Sequence, residues 1–385
     1  MGTGILLFRK TDPEIPEKHL IMDQEQKYLE EFKGNLDHFF SEAVDINLTN
    51  LRQCSFWIKT MNHQNRAAEV RQRRMEKGLP APPVMIFSIT QRCNLNCRAC
   101  YAMAKDKRKE GEISAERFGF LVREASAIGT NIILLAGGEP LLRRDILETA
   151  GRAGESIFPV FTNGTLMNSD YVRFFKKNRN LIPVLSIEGD RARTDARRGE
   201  GLYDTVLSTA RVLRRSKLFF GLSLTLTREN FSQLTDPEFL QEFHDLGSRL
   251  FFLIEYVPMN PADADLCISE AQKRQLPGLL KQLRKELPAL FVSLPGEEEV
   301  YGGCLAAGRG FIHIGPTGDL EPCPFAPWSD TNIKDMPLKD ALNSPLLGMI
   351  RENHHLLTEA QGGCTLWENR EWVESLLRNP ESLSA

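Results

Sequence analysis

The chain has 385 residues, 42% hydrophobic and 26% charged, which gives enough core for one large or two medium domains and excludes a disordered or collagen-like chain. No apolar run approaches the ~18 residues that span a bilayer, and the opening MGTGILLFRKTDPEIPEK has too short an apolar stretch and too early a proline for a signal peptide. A cytoplasmic protein is expected, whose eight cysteines point to metal or redox chemistry before disulfides; the net charge of −3 favours no partner.

The first eighty residues form one expected unit. From about Leu20 to Gly78 the apolar residues recur three or four apart among Leu, Glu, Lys, Gln and Arg, which predicts two or three helices. Between Leu51 and Glu110 thirteen Lys and Arg face four acids. That surplus reads as a solvated helix face, as a site for an anionic ligand, or as a membrane-surface contact using Phe39, Phe40, Phe56 and Trp57. Gly78, Pro80, Pro82 and Pro83 then break the pattern and set a boundary near residue 80.

A second unit is expected over residues 81–260. Short apolar runs start at Val84, Asn131, Phe158, Leu181, Leu218 and Leu250, with amphipathic stretches such as AERFGFLVREASAIG and YDTVLSTARVLRR between them. Continuous apolar strands imply burial on both faces, and helical crossovers imply a parallel sheet, so the expected fold is α/β with a partial (βα)6 barrel. Ligands of such folds sit at the carboxyl ends of the strands. Four motifs fall there: QRCNLNCRACY, GGEP, TNGT and SIEGD.

Cys93, Cys97 and Cys100 form CxxxCxxC with no fourth cysteine within thirty residues and no histidine nearer than His63. A structural zinc site wants four ligands. A cuboidal iron-sulfur cluster with three thiolates would keep one iron open to an external molecule. Zinc or chance spacing is the competing reading.

CNLNCRACY together with GGEP resembles the radical S-adenosylmethionine (radical SAM) superfamily over about Pro82 to Pro258. The resemblance implies a 4Fe-4S cluster on the three cysteines and S-adenosylmethionine chelated at the fourth iron. It also implies an electron donor such as flavodoxin or ferredoxin, and a 5'-deoxyadenosyl radical that abstracts hydrogen from substrate. Carried over by position, Gly137, Gly138 and Glu139 resemble the loop that receives the methionyl ammonium. Asn163, Ser186 and Glu188 resemble the polar set for the ribose and carboxylate. Arg198 resembles an arginine near the cofactor carboxylate, although a helix-start salt bridge explains it nearly as well. The family usually has an aromatic residue before its third cysteine, where this chain has Ala99, with Tyr101 following; Ile254 to Val257 are candidates for backbone contacts to adenine.

Residues 261–385 make the third expected unit. A helix over Ser269 to Leu287 is followed by a loop and by GFIHI and DLEPC around a Gly-Pro-Thr-Gly turn, which predicts a β-hairpin with Cys304 and Cys323 at its open end. Cys304, Cys323 and the later Cys364 resemble a short SPASM or twitch-like domain with a second, auxiliary iron-sulfur cluster. Its fourth ligand is Cys267, a non-cysteine group or the substrate; the bland reading is packed thiols, as at Cys54. His354 and His355 read as a surface helix end, and the charge runs at Lys105 to Glu112 and Gly296 to Val300 as solvated. The expectation is therefore an oxidoreductase or maturase whose substrate, a small molecule, lipid or peptide, is unreadable. Peripheral membrane contact stays open and nucleic acid has no clear signature. The alternative is a non-catalytic zinc- or cluster-stabilised binding module using the basic helices.

Overall fold

The computed structural model describes residues 34, 37–48, 50–104, 111–294, 303–354, 357 and 364–378. The chain start, the charge runs at 105–110 and 296–300, and His355 lie outside the described residues. Among the described residues nine strands form one curled sheet: β1 Val84–Ser88, β2 Ile132–Ala136, β3 Phe158–Thr162, β4 Leu181–Ile187, β5 Gly221–Leu226, β6 Leu250–Glu255, β7 Leu290–Leu294, β8 Phe311–Ile314 and β9 Leu320–Glu321. Their order is β7-β6-β5-β4-β3-β2-β1-β8-β9. Every pairing is parallel except the β8–β9 hairpin. Helices such as Ala115–Ala127 and Leu202–Arg215 supply the crossovers.

The unbroken apolar strands follow from burial on two sides. Successive side chains of a strand point to opposite faces. Along β2, Ile133 and Leu135 join the large core under the crossover helices, while Ile132 and Leu134 join a smaller core on the concave face. That concave core is closed by the N-terminal helix Leu51–Met75, whose Trp57 is 0% exposed and meets Phe219 edge-on with centroids 5.1 Å apart. Arg71 Nη1 donates to the Gly129 carbonyl (2.6 Å), Arg179 Nη1 to Gln53 Oε1 (2.8 Å) and Asn50 Nδ2 to the Lys217 carbonyl (3.5 Å). Gly129, Arg179 and Lys217 all precede strands, so the helix lies across the amino ends of the barrel. Phe40 and Trp57 are therefore core residues and not interfacial ones, a correction to one reading of the basic segment.

Two further differences concern the carboxy-terminal third. The segment after the helix Glu270–Glu286, expected as loop, begins with β7, which extends the parallel sheet beyond β6. The hairpin is no separate sheet either: β8 pairs in parallel with β1, Val84 opposite Phe311. The sheet thus runs across the boundary expected at residue 260. His354 is buried, its Nδ1 2.6 Å from the Arg351 carbonyl, so the surface reading fails there. Among the described residues no helix is long and apolar enough to cross a membrane.

Candidate functional site

The loop carrying Cys93, Cys97 and Cys100 leaves the end of β1 and is fastened by its neighbours. From the β2 loop, the Gly138 amide donates to the Thr90 carbonyl and the Glu139 amide to the Arg92 carbonyl, both at 2.8 Å. A Cβ on Gly137 would lie 2.5 Å from the Thr90 carbonyl oxygen, and one on Gly138 2.0 Å from that of Arg92. Both glycines are thus fixed by the approach of two backbones. From the β3 loop, Asn163 Nδ2 donates to Asn94 Oδ1 (2.9 Å) and Asn94 Nδ2 to Thr165 Oγ1 (2.8 Å). From the helix Arg191–Arg198, the Arg197 carbonyl accepts the Arg98 amide at 2.8 Å. Behind the loop, Arg143 Nη1 reaches the Ile89 carbonyl (3.0 Å) and Glu112 (3.1 Å), while Glu112 Oε1 accepts from Thr90 and Gln91 at 2.8 Å.

The three thiols sit close enough to perturb one another. Burial pushes the Cys93 thiol up, and Glu139 and Cys100 push it further; the Cys97 thiol is likewise raised by burial, opposed by the Arg198 guanidinium. Such a site favours the thiolates only when a cation-bearing body compensates them. Among the described residues no three His, Cys, Asp or Glu side chains are gathered tightly enough for a single metal ion.

All three cysteines line one cavity of about 1640 Å3, open mouth included, and Cys304, Cys323 and Cys364 line it too. Two cysteine triads more than 200 residues apart in sequence therefore share a chamber. Gly137, Gly138, Glu139, Asn163, Ser186 and Arg198 are also in its wall, as are Ile254 to Val257. Glu139 Oε1 accepts from Thr162 Oγ1 (2.7 Å) and the Leu141 amide (3.0 Å), and Oε2 from the Asn163 amide (2.8 Å). A carboxylate has room for about four donors, which leaves Oε2 capacity for one cationic N–H. Asn163 is more committed, since its Oδ1 already accepts from the Thr165 amide and hydroxyl. Its side chain braces the cysteine loop as well as facing the cavity.

Glu188 does not line the cavity. It is buried and pairs with Arg197 and with Arg198 (Nη2 to Oε1, 2.6 Å). This carboxylate neutralises and aims two guanidinium groups that do reach the wall. Arg198 closes its helix rather than opening it, so the salt bridge that competed with the cofactor reading is real and coexists with a place at the cavity. Arg197 escaped the sequence reading, although ArgArg at a helix end beside SIEGD was the signal. Tyr101 lines the cavity edge-on to Phe325, centroids 5.4 Å apart, so an aromatic ring stands near the position where Ala99 withholds one. Burial holds its phenol well above the usual range. Cys267 is buried near Arg228 and Lys273 and is not in the cavity wall. Behind the wall, Ser88 Oγ lies 2.8 Å from His313 Nε2, whose Nδ1 lies 2.7 Å from Glu321 Oε2. This buried chain bolts β1 to the hairpin.

The Radical SAM superfamily profile matches residues 87–250. That stretch is a radical SAM domain. An AdoMet-dependent heme synthase of Methanosarcina barkeri is 28% identical over 329 residues, covering 79% of this chain and 86% of the relative. An Fe-coproporphyrin III synthase of the same organism is 29% identical over 208 residues, 53% of this chain and 52% of the relative. Among solved structures, Streptococcus suis SuiB bound to the precursor peptide SuiA superposes with a TM-score of 0.60 at 19% identity, covering 80% of this chain and 77% of that one. That likeness bears on the fold.

Proposed function

We propose that this radical SAM enzyme binds a four-iron cluster on Cys93, Cys97 and Cys100 and a second cluster on Cys304, Cys323 and Cys364, and acts on a tetrapyrrole held between them. The observation carrying this is the single cavity lined by both triads. A cluster held at the first site would pass one electron from an external reductant to S-adenosylmethionine, the chemistry that releases methionine and a 5'-deoxyadenosyl radical able to abstract hydrogen. The residues here do the rest. Glu139 offers its remaining acceptor capacity to the methionyl ammonium, Ser186 faces the cavity as a ribose partner, and Arg198, aimed by Glu188, faces the carboxylate. Leu134, Phe161, Leu294 and Phe311 supply an apolar wall for a flat ring system, excluding water from the radical. The substrate class draws on the named activities of the heme and Fe-coproporphyrin III synthases.

The test is anaerobic reconstitution followed by turnover with dithionite, S-adenosylmethionine and Fe-coproporphyrin III. Two clusters per chain and porphyrin-stimulated 5'-deoxyadenosine are expected, and alanine at Cys93, Cys97 and Cys100 removes about half the iron and all cleavage. Cleavage without any change in the porphyrin's mass rejects the substrate class alone. Bound zinc with negligible iron and sulfide rejects the whole proposal.

A further inference from the structure

The helix Leu51–Met75 keeps one face for the barrel and leaves the opposite one in solvent. Its exposed positions include Arg52, Lys59, Arg66 and Arg73. Seven residues advance a helix by nearly two turns, so cations at this spacing form one stripe about 32 Å long. Glu69 is the acid beside them, its Oε2 3.9 Å from Arg73 Nη2. Alongside the first two cations stand aliphatic side chains that the fold does not bury: Leu51 is 81% exposed and Ile58 44%, with Leu48 just ahead of the helix at 60%. One turn of amphipathic spacing would be unremarkable at a surface. Here aliphatic groups and cations lie side by side on a face directed away from the core.

We infer that this face docks the enzyme on an anionic lipid bilayer, the aliphatic side chains entering the headgroup boundary and the stripe of cations meeting the lipid phosphates. Aliphatic groups beside evenly spaced cations fit a lipid surface. A nucleic acid would use the cations and gain nothing from three exposed aliphatic residues, since its backbone offers them no partner. The placement supports the same occupant. The helix crosses the amino ends of the strands through Gly129, Arg179 and Lys217, whereas the cavity opens at their carboxyl ends. A chain lying on a bilayer by this helix keeps its cavity mouth free for substrate and for an electron donor. The aromatic residues once eligible for such a contact, Phe40 and Trp57, hold the helix to the barrel instead.

Co-sedimentation of the reconstituted full chain with vesicles tests the inference. Vesicles of 30% phosphatidylglycerol in phosphatidylcholine should bind it at low salt and release it at ~0.5 M salt, while pure phosphatidylcholine should retain at least tenfold less. Glutamine at Arg52, Lys59, Arg66 and Arg73 together should cut binding at least tenfold. Serine at Leu51 and Ile58 should weaken it with the salt dependence kept. Both variants should preserve the thermal midpoint and uncoupled S-adenosylmethionine cleavage, since none of these side chains reaches the cavity. Equal binding to both vesicle types, no binding to either, or undiminished binding by the glutamine variant overturns the inference. Tighter binding to duplex DNA or single-stranded RNA than to anionic vesicles also overturns it and reassigns the face.

Discussion

Burial raises the Glu139 carboxyl above the ordinary carboxylate range, so the folded site ionises later than an open one as pH climbs. Because a methionyl ammonium needs the ionised form, S-adenosylmethionine affinity should rise with pH through that elevated value. Glu139→Gln should lower affinity ten- to hundredfold, about 1.5–3 kcal/mol, and flatten the rise, with cluster iron unchanged. Titration calorimetry at several pH values measures both; unaltered affinity removes Glu139 from the cofactor site. The neighbouring glycine has a different job. Gly138→Ala places a methyl 2.0 Å from the Arg92 carbonyl oxygen, so the loop that presents Cys93 must move. Loss of iron at the first site and a lower melting temperature are expected, and wild-type values for both would show that the loop yields freely. The GGEP motif was legible as a site element, but its glycines were read as room for a ligand, because no sequence tells which backbone will approach. The pairing of Glu188 with Arg197 and Arg198 was not legible for a related reason: Arg197 belongs to a helix whose end the motif does not specify.

The strands were the most legible elements, since Ile132 to Leu135 alternate between two cores and leave no polar position to confuse the pattern. β7 was missed because LeuPheValSerLeu reads as apolar loop unless a free edge of β6 is known to wait for it. The helix Leu51–Met75 was legible as helix and illegible as a plug, because periodicity identifies an apolar face without naming what covers it. Trp57→Ala should lower stability by about 3–5 kcal/mol, leaving a cavity among Phe40, Phe56 and Phe219. Denaturant unfolding reads this directly, and a loss below ~1 kcal/mol would mean the helix is dispensable to the barrel.

At the scale of the molecule the two cysteine triads meet across one chamber, which makes the coordination of the second a question about the chamber wall. Cys267 is absent from that wall, so Cys267→Ala should leave the second cluster's iron and spectrum intact even when alanine replaces Cys93, Cys97 and Cys100. Loss or marked lability of the remaining cluster would place Cys267 among its ligands and close the site to substrate. The hairpin carrying Cys323 has a further consequence, in time rather than space. β1 and β8 are neighbours, yet Val84 and Phe311 are separated by most of the chain's synthesis. Until the ribosome has delivered β8, one side of β1 presents bare amide and carbonyl groups, a template for pairing with other chains. That side of the sheet is thus completed late, at the strand that leads into the cysteine loop.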